Sequence, residues 1–315
     1  MRHRNLGRNG PPISVVGFGT WAAGGDMWGR IQDDEVVAAM RRALELGVTW
    51  YDTADAYGDG HAEELVAEAF AGRRDEVFIA TKCGFRPEGG FSLAPDYIRI
   101  ACERSLKRLG TDRIDLYQFH WPADRTTHLQ DSWATMAALQ DEGKVRFTGV
   151  SNFKVKHLEI CEPIRHVDSL QPEYSMLIRT PEEVLVGWCR EHGTGIVTYG
   201  SLAYGILTGK FTADATFERE DWRSGGMGIT YYDRLFAPKV FKGHLARVER
   251  LKEVAAGLAI SVAQLAIAWL LRDDAITSAI VGAKRTSQIE ETAGTGDAAL
   301  DAQTLATIEE ILSGS

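Results

Sequence analysis

The sequence predicts an α/β fold, a (β/α)8 TIM barrel spanning residues 1–315 as a single domain, on three observations. Short runs rich in Val, Ile, Phe and Tyr alternate with amphipathic helical segments, the pattern of βα units around a parallel sheet. Eight such runs can be read, the number at which crossover units close on themselves. Polar residues able to do chemistry recur where the apolar runs stop.

The elements follow in order. HRNLGRNGPPIS opens the chain, and Asn9-Gly10 predicts a tight β-hairpin turn, with the hairpin plugging one end of the barrel. The strands are SVVGFG (14–19), TWYD (49–52), VFIATK (77–82), LYQFH (116–120), FTGVSN (147–152), SLQPEY (169–174), GIVTYG (195–200) and SAIVG (278–282). Helices between them stop at Gly47, Gly72 and Gly110, where left-handed caps are expected. RTPEEVLVGWCREHG predicts a helix capped by Thr180, with Pro181 in the first turn, Glu183 completing a capping box and Gly193 at its end. Residues 203–240 read as a long loop between strands seven and eight, with RSGGMGIT at its centre. A doubly wound sheet is the competing fold, since Gly17, Gly19 and Ala22 approach a dinucleotide fingerprint. The following AGGDMWGRIQ is glycine-rich and aperiodic, so no helix N-terminus is ready for a pyrophosphate.

Composition narrows the function. A hydrophobic content of 44% suits a full core, and a net charge of −9 argues against a general nucleic-acid or anionic-membrane binder. Four cysteines without a C-x-x-C pair read as reduced thiols. The N-terminus lacks an apolar signal region and SVAQLAIAWLL is too short to span a bilayer, so a cytoplasmic protein is expected, monomeric by default. Eight histidines supply no H-x-H pair, which disfavours a metal-dependent barrel hydrolase.

In such a barrel, chemistry gathers where strands end. The ends here are Asp52, Lys82, His120, Ser151 with Asn152, Gln171, Tyr199 and Gly282, and Tyr57 follows Asp52 closely. Singly, each has a plain reading: a structural ion pair, a packed tyrosine, a half-buried histidine. Together they are expected to form an acid for carbonyl chemistry: Asp52 fixes Lys82, whose ammonium lowers the Tyr57 phenol from its usual pKa of about 10, while His120 orients a carbonyl oxygen or shares its proton.

At these residues the sequence closely resembles the aldo-keto reductase family, through VGFGTW, DTADAYGDGHAEELV, FIATKCG, DLYQFHWP, RFTGVSNF, LQPEYS, VTYGSLAYGILTGKF and GAKRTSQIEET. The resemblance implies hydride transfer between NADP(H) and an aldehyde, ketone or corresponding alcohol, with Asp52, Tyr57, Lys82 and His120 as catalytic tetrad and Tyr57 as general acid/base. It places Gly19, Thr20 and Trp21 by the nicotinamide ribose, Ser151, Asn152 and Gln171 on the carboxamide, and Tyr199 under the nicotinamide ring, with Asp52 also among the cofactor-binding residues. Gly200, Ser201, Leu202, Gly205, Leu207 and Lys210 would line the pyrophosphate, and Gly282, Lys284, Thr286, Ser287, Gln288, Glu291 and Thr292 the adenosine. Thr292 stands where the family often has asparagine. Lys284 and Arg285 suit a ribose 2′-phosphate, so NADP(H) is preferred and NAD(H) is the other cofactor admitted.

The chain has eight tryptophans. Trp21, Trp28, Trp121, Trp222, Tyr231 and Tyr232, with Phe236, are expected around the mouth beside Tyr57 and His120, as an aromatic pocket for an apolar or carbohydrate-like carbonyl substrate. The alternative is a cofactor-binding regulatory or scaffold subunit of the same fold with little turnover, as in channel-associated β subunits.

Overall fold

Alternation along each strand decides the architecture. In the computed structural model, which describes residues 1–25, 27–122, 128–229 and 231–314, eight parallel strands close into a barrel. After the N-terminal strands β1 (His3–Asn5) and β2 (Pro12–Ser14), the barrel strands are β3 (Val16–Gly19), β4 (Trp50–Asp52), β5 (Phe78–Cys83), β6 (Ile114–Phe119), β7 (Val145–Ser151), β8 (Ser169–Gln171), β9 (Gly195–Thr198) and β10 (Ile276–Gly282). β10 pairs with β3 to complete the ring. β5 and β6 are buried at every position, as expected of strands covered on both faces.

Successive side chains point to opposite faces. Tyr51, Ile79 and Tyr117 therefore join the large outer core under the helices, while Trp50, Phe78, Ala80, Leu116, Val197 and Ile280 form a separate inner cluster. The same inward parity carries Asp52, Lys82, Gln118 and His120 toward the strand ends. Gly17 makes room for this filling: a Cβ there would lie 2.2 Å from Trp50 Cε2. The Trp50 indole N–H donates to Ser14 O and Ser278 Oγ, so a large aromatic sits in the barrel with its polar atom satisfied.

β1 and β2 form the expected antiparallel hairpin, and Leu6 and Ile13 join the inner cluster, so the hairpin closes one end of the barrel. Its turn corrects the expectation at Asn9-Gly10. The residues joining the strands run from 6 to 11, and the left-handed residue is Gly7, where a Cβ would meet Gly193 O at 2.6 Å. Tertiary anchoring overrides the local signal: Arg4 donates to Leu271 O, Asp273 O and Ile276 O, and the Arg8 N–H donates to Gly193 O.

Helices α1 (Asp33–Glu45), α2 (His61–Ala69), α3 (Pro95–Leu109), α4 (Leu129–Asp141), α5 (Val155–Cys161) and α6 (Leu185–His192) alternate with the strands. α6 departs from its predicted start. Thr180–Glu182 form a 3₁₀ turn and Thr180 makes no capping bond. Glu182 instead accepts from Arg179, Tyr174 and Arg272, and this network sets the backbone before Leu185. The 203–240 segment is longer than a connecting turn, as expected, but partly ordered: it contains 3₁₀ turns at Ala203–Thr208 and Trp222–Ser224, helix α7 (Tyr231–Leu235), and the first residues of α8 (Pro238–Gly257). Thr230 of the RSGGMGIT stretch lies outside the described residues. Helices α9 (Val262–Leu270), α10 (Thr286–Ala293) and α11 (Ala302–Ser313) complete the chain. Gly17 and Gly19 are followed only by a 3₁₀ turn, Trp21–Gly24. Among the described residues, no single helix is long and apolar enough to cross a membrane. All four cysteines are buried and unpaired.

Candidate active site

Three consecutive strands deliver a lysine, a carboxylate and an imidazole to one place. Lys82 is fully buried, and its ammonium donates to three oxygens: Asp52 Oδ2 at 2.8 Å, Thr53 O at 2.9 Å and Tyr57 Oη at 3.1 Å. Its hydrogens are thereby all used. Asp52 Oδ1 accepts from Gln171 Nε2 at 2.7 Å, so both carboxylate oxygens have partners. Because Lys82 donates to the phenol oxygen, the Tyr57 proton is directed away from the lysine. The Tyr57 ring lies edge-on to His120 at 5.6 Å between centroids, and Phe85 also packs edge-on against His120 at 5.2 Å.

The electrostatics correct one expectation. The Tyr57 phenol is held well above its ordinary value, first by burial and then by the charge of Asp52, with Tyr231 and Asp55 adding to it. Desolvation opposes a phenolate and the charge of Asp52 adds to it, so Tyr57 keeps its proton. Burial also lowers the Lys82 ammonium, with Asp52 pulling the other way. His120 is pushed well below the usual histidine range by burial and by Lys82, which makes it a neutral ring near neutral pH; its Nδ1 has no hydrogen-bond partner. A protonated phenol beside a neutral imidazole is an acid next to a hydrogen-bonding ring.

Tyr57 opens into a cavity of about 400 Å³. Of the sequence-predicted residues, Gly19, Trp21, Trp28, Asp52, Tyr57, Tyr199, Gly200, Ser201, Leu202, Gly205, Gly282, Lys284 and Gln288 line it. One end is aromatic, with Trp21 stacked on Tyr57 at 6.4 Å, and the other is cationic, with Lys284, Arg285 and Arg223. A planar ring at the first end and a phosphate at the second would both find complementary surface. Gly19 and Gly282 bring bare backbone to the wall; a Cβ at Gly19 would lie 2.6 Å from Ile280 Cγ2.

Ser151, Asn152 and Gln171 are not among the lining residues. Ser151 Oγ donates to Gln171 O at 2.8 Å, Asn152 Nδ2 to His120 O at 3.0 Å, and Tyr199 Oη to Asn152 Oδ1 at 2.7 Å. They form a polar arc bracing the tetrad and Tyr199. Other predicted contacts lie elsewhere. Thr20 is buried and donates to Asp52 O, Leu207 is in the core, and Lys210 pairs with Glu291 at 2.9 Å. Thr286 starts α10, and Thr292 Oγ1 bonds back to Gln288 O. Trp222 is fully buried among Trp21, Trp28, Tyr204, Tyr231 and Phe236, Tyr232 packs at Gly225, Tyr231 Oη meets Tyr199 Oη at 3.0 Å, and Trp121 is exposed.

Sequence reasoning missed Ala22, Tyr204, Thr208, Arg223, Ile280, Val281 and Ala283 as lining residues, and Arg223 and Tyr204 are the largest of these. Arg223 lines the cationic end, held by both oxygens of Asp221 and stacked on Trp28 and Phe217. The available signal was Asp221-Trp222-Arg223, an Asx cap with a cation two residues on. Tyr204 lines the wall with φ of +54° and donates to Glu173 Oε1. A tyrosine in a left-handed conformation carries no sequence signal.

A family model described as the Aldo/keto reductase family matches residues 15–313. The aldo-keto reductase YhdN of Bacillus subtilis is 35% identical over 301 residues, covering 92% of this chain and 87% of its own. The structure of a glycerol dehydrogenase from Gluconobacter oxydans matches with a TM-score of 0.88 at 32% identity, over 99% of this chain and 95% of its own. An aldo/keto reductase from Klebsiella pneumoniae, solved with NADP and acetate, matches with a TM-score of 0.75 at 27% identity, over 99% and 96%.

Proposed function

Because the chain belongs to the aldo/keto reductase family, we propose that it is an NADP-dependent oxidoreductase that interconverts an aldehyde or ketone with its alcohol, Tyr57 passing the proton. The observation that carries this reading is the Lys82 ammonium shared between Asp52 and Tyr57. When bound, the nicotinamide supplies or takes the hydride. The protein's part is to hold the substrate oxygen and move one proton. Tyr57 Oη–H donates to the carbonyl oxygen, and its proton transfers as negative charge builds there. Lys82 stabilises the phenolate left behind, and Asp52 keeps Lys82 charged in a site where burial disfavours it. Neutral His120 donates a second hydrogen bond to the same oxygen and fixes the carbonyl's orientation.

Lys284 and Arg285 are the cations for a ribose 2′-phosphate, and Tyr199 with Trp21 the aromatic wall for the nicotinamide. The Klebsiella relative's bound NADP supports the same preference. Trp21 and Trp28 line the cavity beside Tyr57, which favours an apolar or carbohydrate-like carbonyl compound.

NADPH consumption over a varied carbonyl panel, with alcohols and NADP+ in reverse, tests the reading. Tyr57→Phe should lower kcat by roughly 10²–10⁴-fold, the usual size of general acid catalysis, with NADPH affinity kept. Tight NADPH binding without turnover of any panel member would favour the scaffold-subunit alternative, and an unchanged rate in Tyr57→Phe would remove Tyr57 from the chemistry.

A further inference from the structure

A second cavity, of about 300 Å³, lies behind the Tyr57 loop and shares no lining residue with the first. One face of α3 forms a wall of it. Tyr97, Ala101, Arg104 and Arg108 recur at helical spacing on that face, and the small Ala101 leaves the space open. Arg86, after β5, supplies a third guanidinium, lying over the Tyr97 ring at 5.2 Å, while the Tyr97 hydroxyl donates to Phe85 O.

The positive charge here is only partly neutralised. Arg104 makes no ion pair among the described residues, and the nearest carboxylate to Arg86 is Glu88 at 3.9 Å. Arg108 gives its Nε to the buried Glu63 at 2.6 Å, which positions the guanidinium and leaves its terminal nitrogens without a partner among the described residues. Two acids line the cavity as well. Asp59 is exposed on the rim, and Asp55 is buried. Burial, with Glu63 adding to it and Arg108 and Lys82 opposing, holds the Asp55 carboxyl well above the ordinary carboxylate range.

We propose that this cavity binds a phosphate-class oxyanion, the free ion or the phosphate group of a small ester, through Arg86, Arg104 and Arg108. A tetrahedral oxyanion can present a different edge to each guanidinium, which a planar carboxylate with two oxygens cannot.

Calorimetric titration with inorganic phosphate and with glycerol 3-phosphate tests it. Two double variants run alongside the wild type: Arg86→Ala/Arg104→Ala, and Lys284→Ala/Arg285→Ala, which removes two of the three cations at the cationic end of the first cavity. Arg86 and Arg104 are exposed, so the fold should survive, as circular dichroism would verify. Saturable binding is expected in the wild type and in Lys284→Ala/Arg285→Ala. It should fall roughly a hundredfold in Arg86→Ala/Arg104→Ala, since each lost charge-assisted bond weakens binding about tenfold. Equal affinity for both probes assigns the site to the free ion, and at least tenfold tighter glycerol 3-phosphate assigns it to an ester. Wild type that takes up no phosphate at millimolar concentration, or Arg86→Ala/Arg104→Ala that titrates like wild type, would overturn the proposal.

Discussion

Where the barrel strands begin, Trp50, Phe78 and Leu116 face inward onto Leu6 and Ile13 of the hairpin; two to four residues further along the same strands, Asp52, Lys82 and His120 take the same inward parity. One alternation thus builds an apolar plug at one end and a buried charge network at the other. The difference teaches where stability comes from. Apolar burial at the plug is favourable in its own right. Desolvating Lys82 and Asp52 costs several kcal/mol per ion, and their mutual attraction offsets that only because every ammonium hydrogen and both carboxylate oxygens have partners. The network end is built for chemistry and is carried by the rest of the barrel.

The largest effect should come from removing Lys82. Lys82→Met takes away the group that stabilises the Tyr57 phenolate, so kcat should fall by at least about 10³-fold. It also leaves Asp52 buried with only Gln171, which should destabilise the fold by about 3–5 kcal/mol in chemical denaturation. Adding Asp52→Leu should restore much of that stability and none of the activity. A double variant as unstable as the single one would show that the charged end contributes stability after all and break the contrast.

At the plug the balance reverses. Leu6→Ala removes a fully buried side chain from the inner cluster and should destabilise by about 2–5 kcal/mol, while kcat stays within about twofold of wild type. Denaturation midpoints and steady-state rates on one preparation would show whether the two ends are separable. A matching fall in kcat would mean that the plug also sets the tetrad's geometry.

How much of this could be read beforehand follows from how local each feature is. The alternation of apolar runs with amphipathic segments is local, so the barrel and the strand-end positions of Asp52, Lys82 and His120 were legible. The hairpin turn was misread because Arg4 and Arg8 bond to distant carbonyls, which outweighs the turn preference of Asn9-Gly10. The Thr180 cap was misread because Glu182 joins Arg272, ninety residues away in sequence. The acidity of Tyr57 shows a further kind of gap: sequence could name Lys82 as a neighbour, yet the shift is set first by burial and then by Asp52, both of which raise it. Arg223 and Tyr204 reach the cavity only because the 203–240 segment folds back on Trp21 and Trp28, and no short-range pattern encodes that return.

The smallest predicted effect concerns the cationic end of the first cavity, where a structural tether and a phosphate ligand compete as roles for one residue. Lys284 Nζ donates to Trp28 O, and burial together with Arg223 lowers its ammonium from the ordinary value. If the side chain serves mainly to hold the Trp28 segment, Lys284→Ala should weaken NADPH and NADH alike, because both need the same wall. If it faces a 2′-phosphate, the NADPH dissociation constant should rise about tenfold and that for NADH by less than about twofold, one charge-assisted contact being worth about 1.5 kcal/mol. Fluorescence titration with both cofactors separates the cases, and equal losses would leave Arg285 and Arg223 as the remaining cations able to recognise the phosphate.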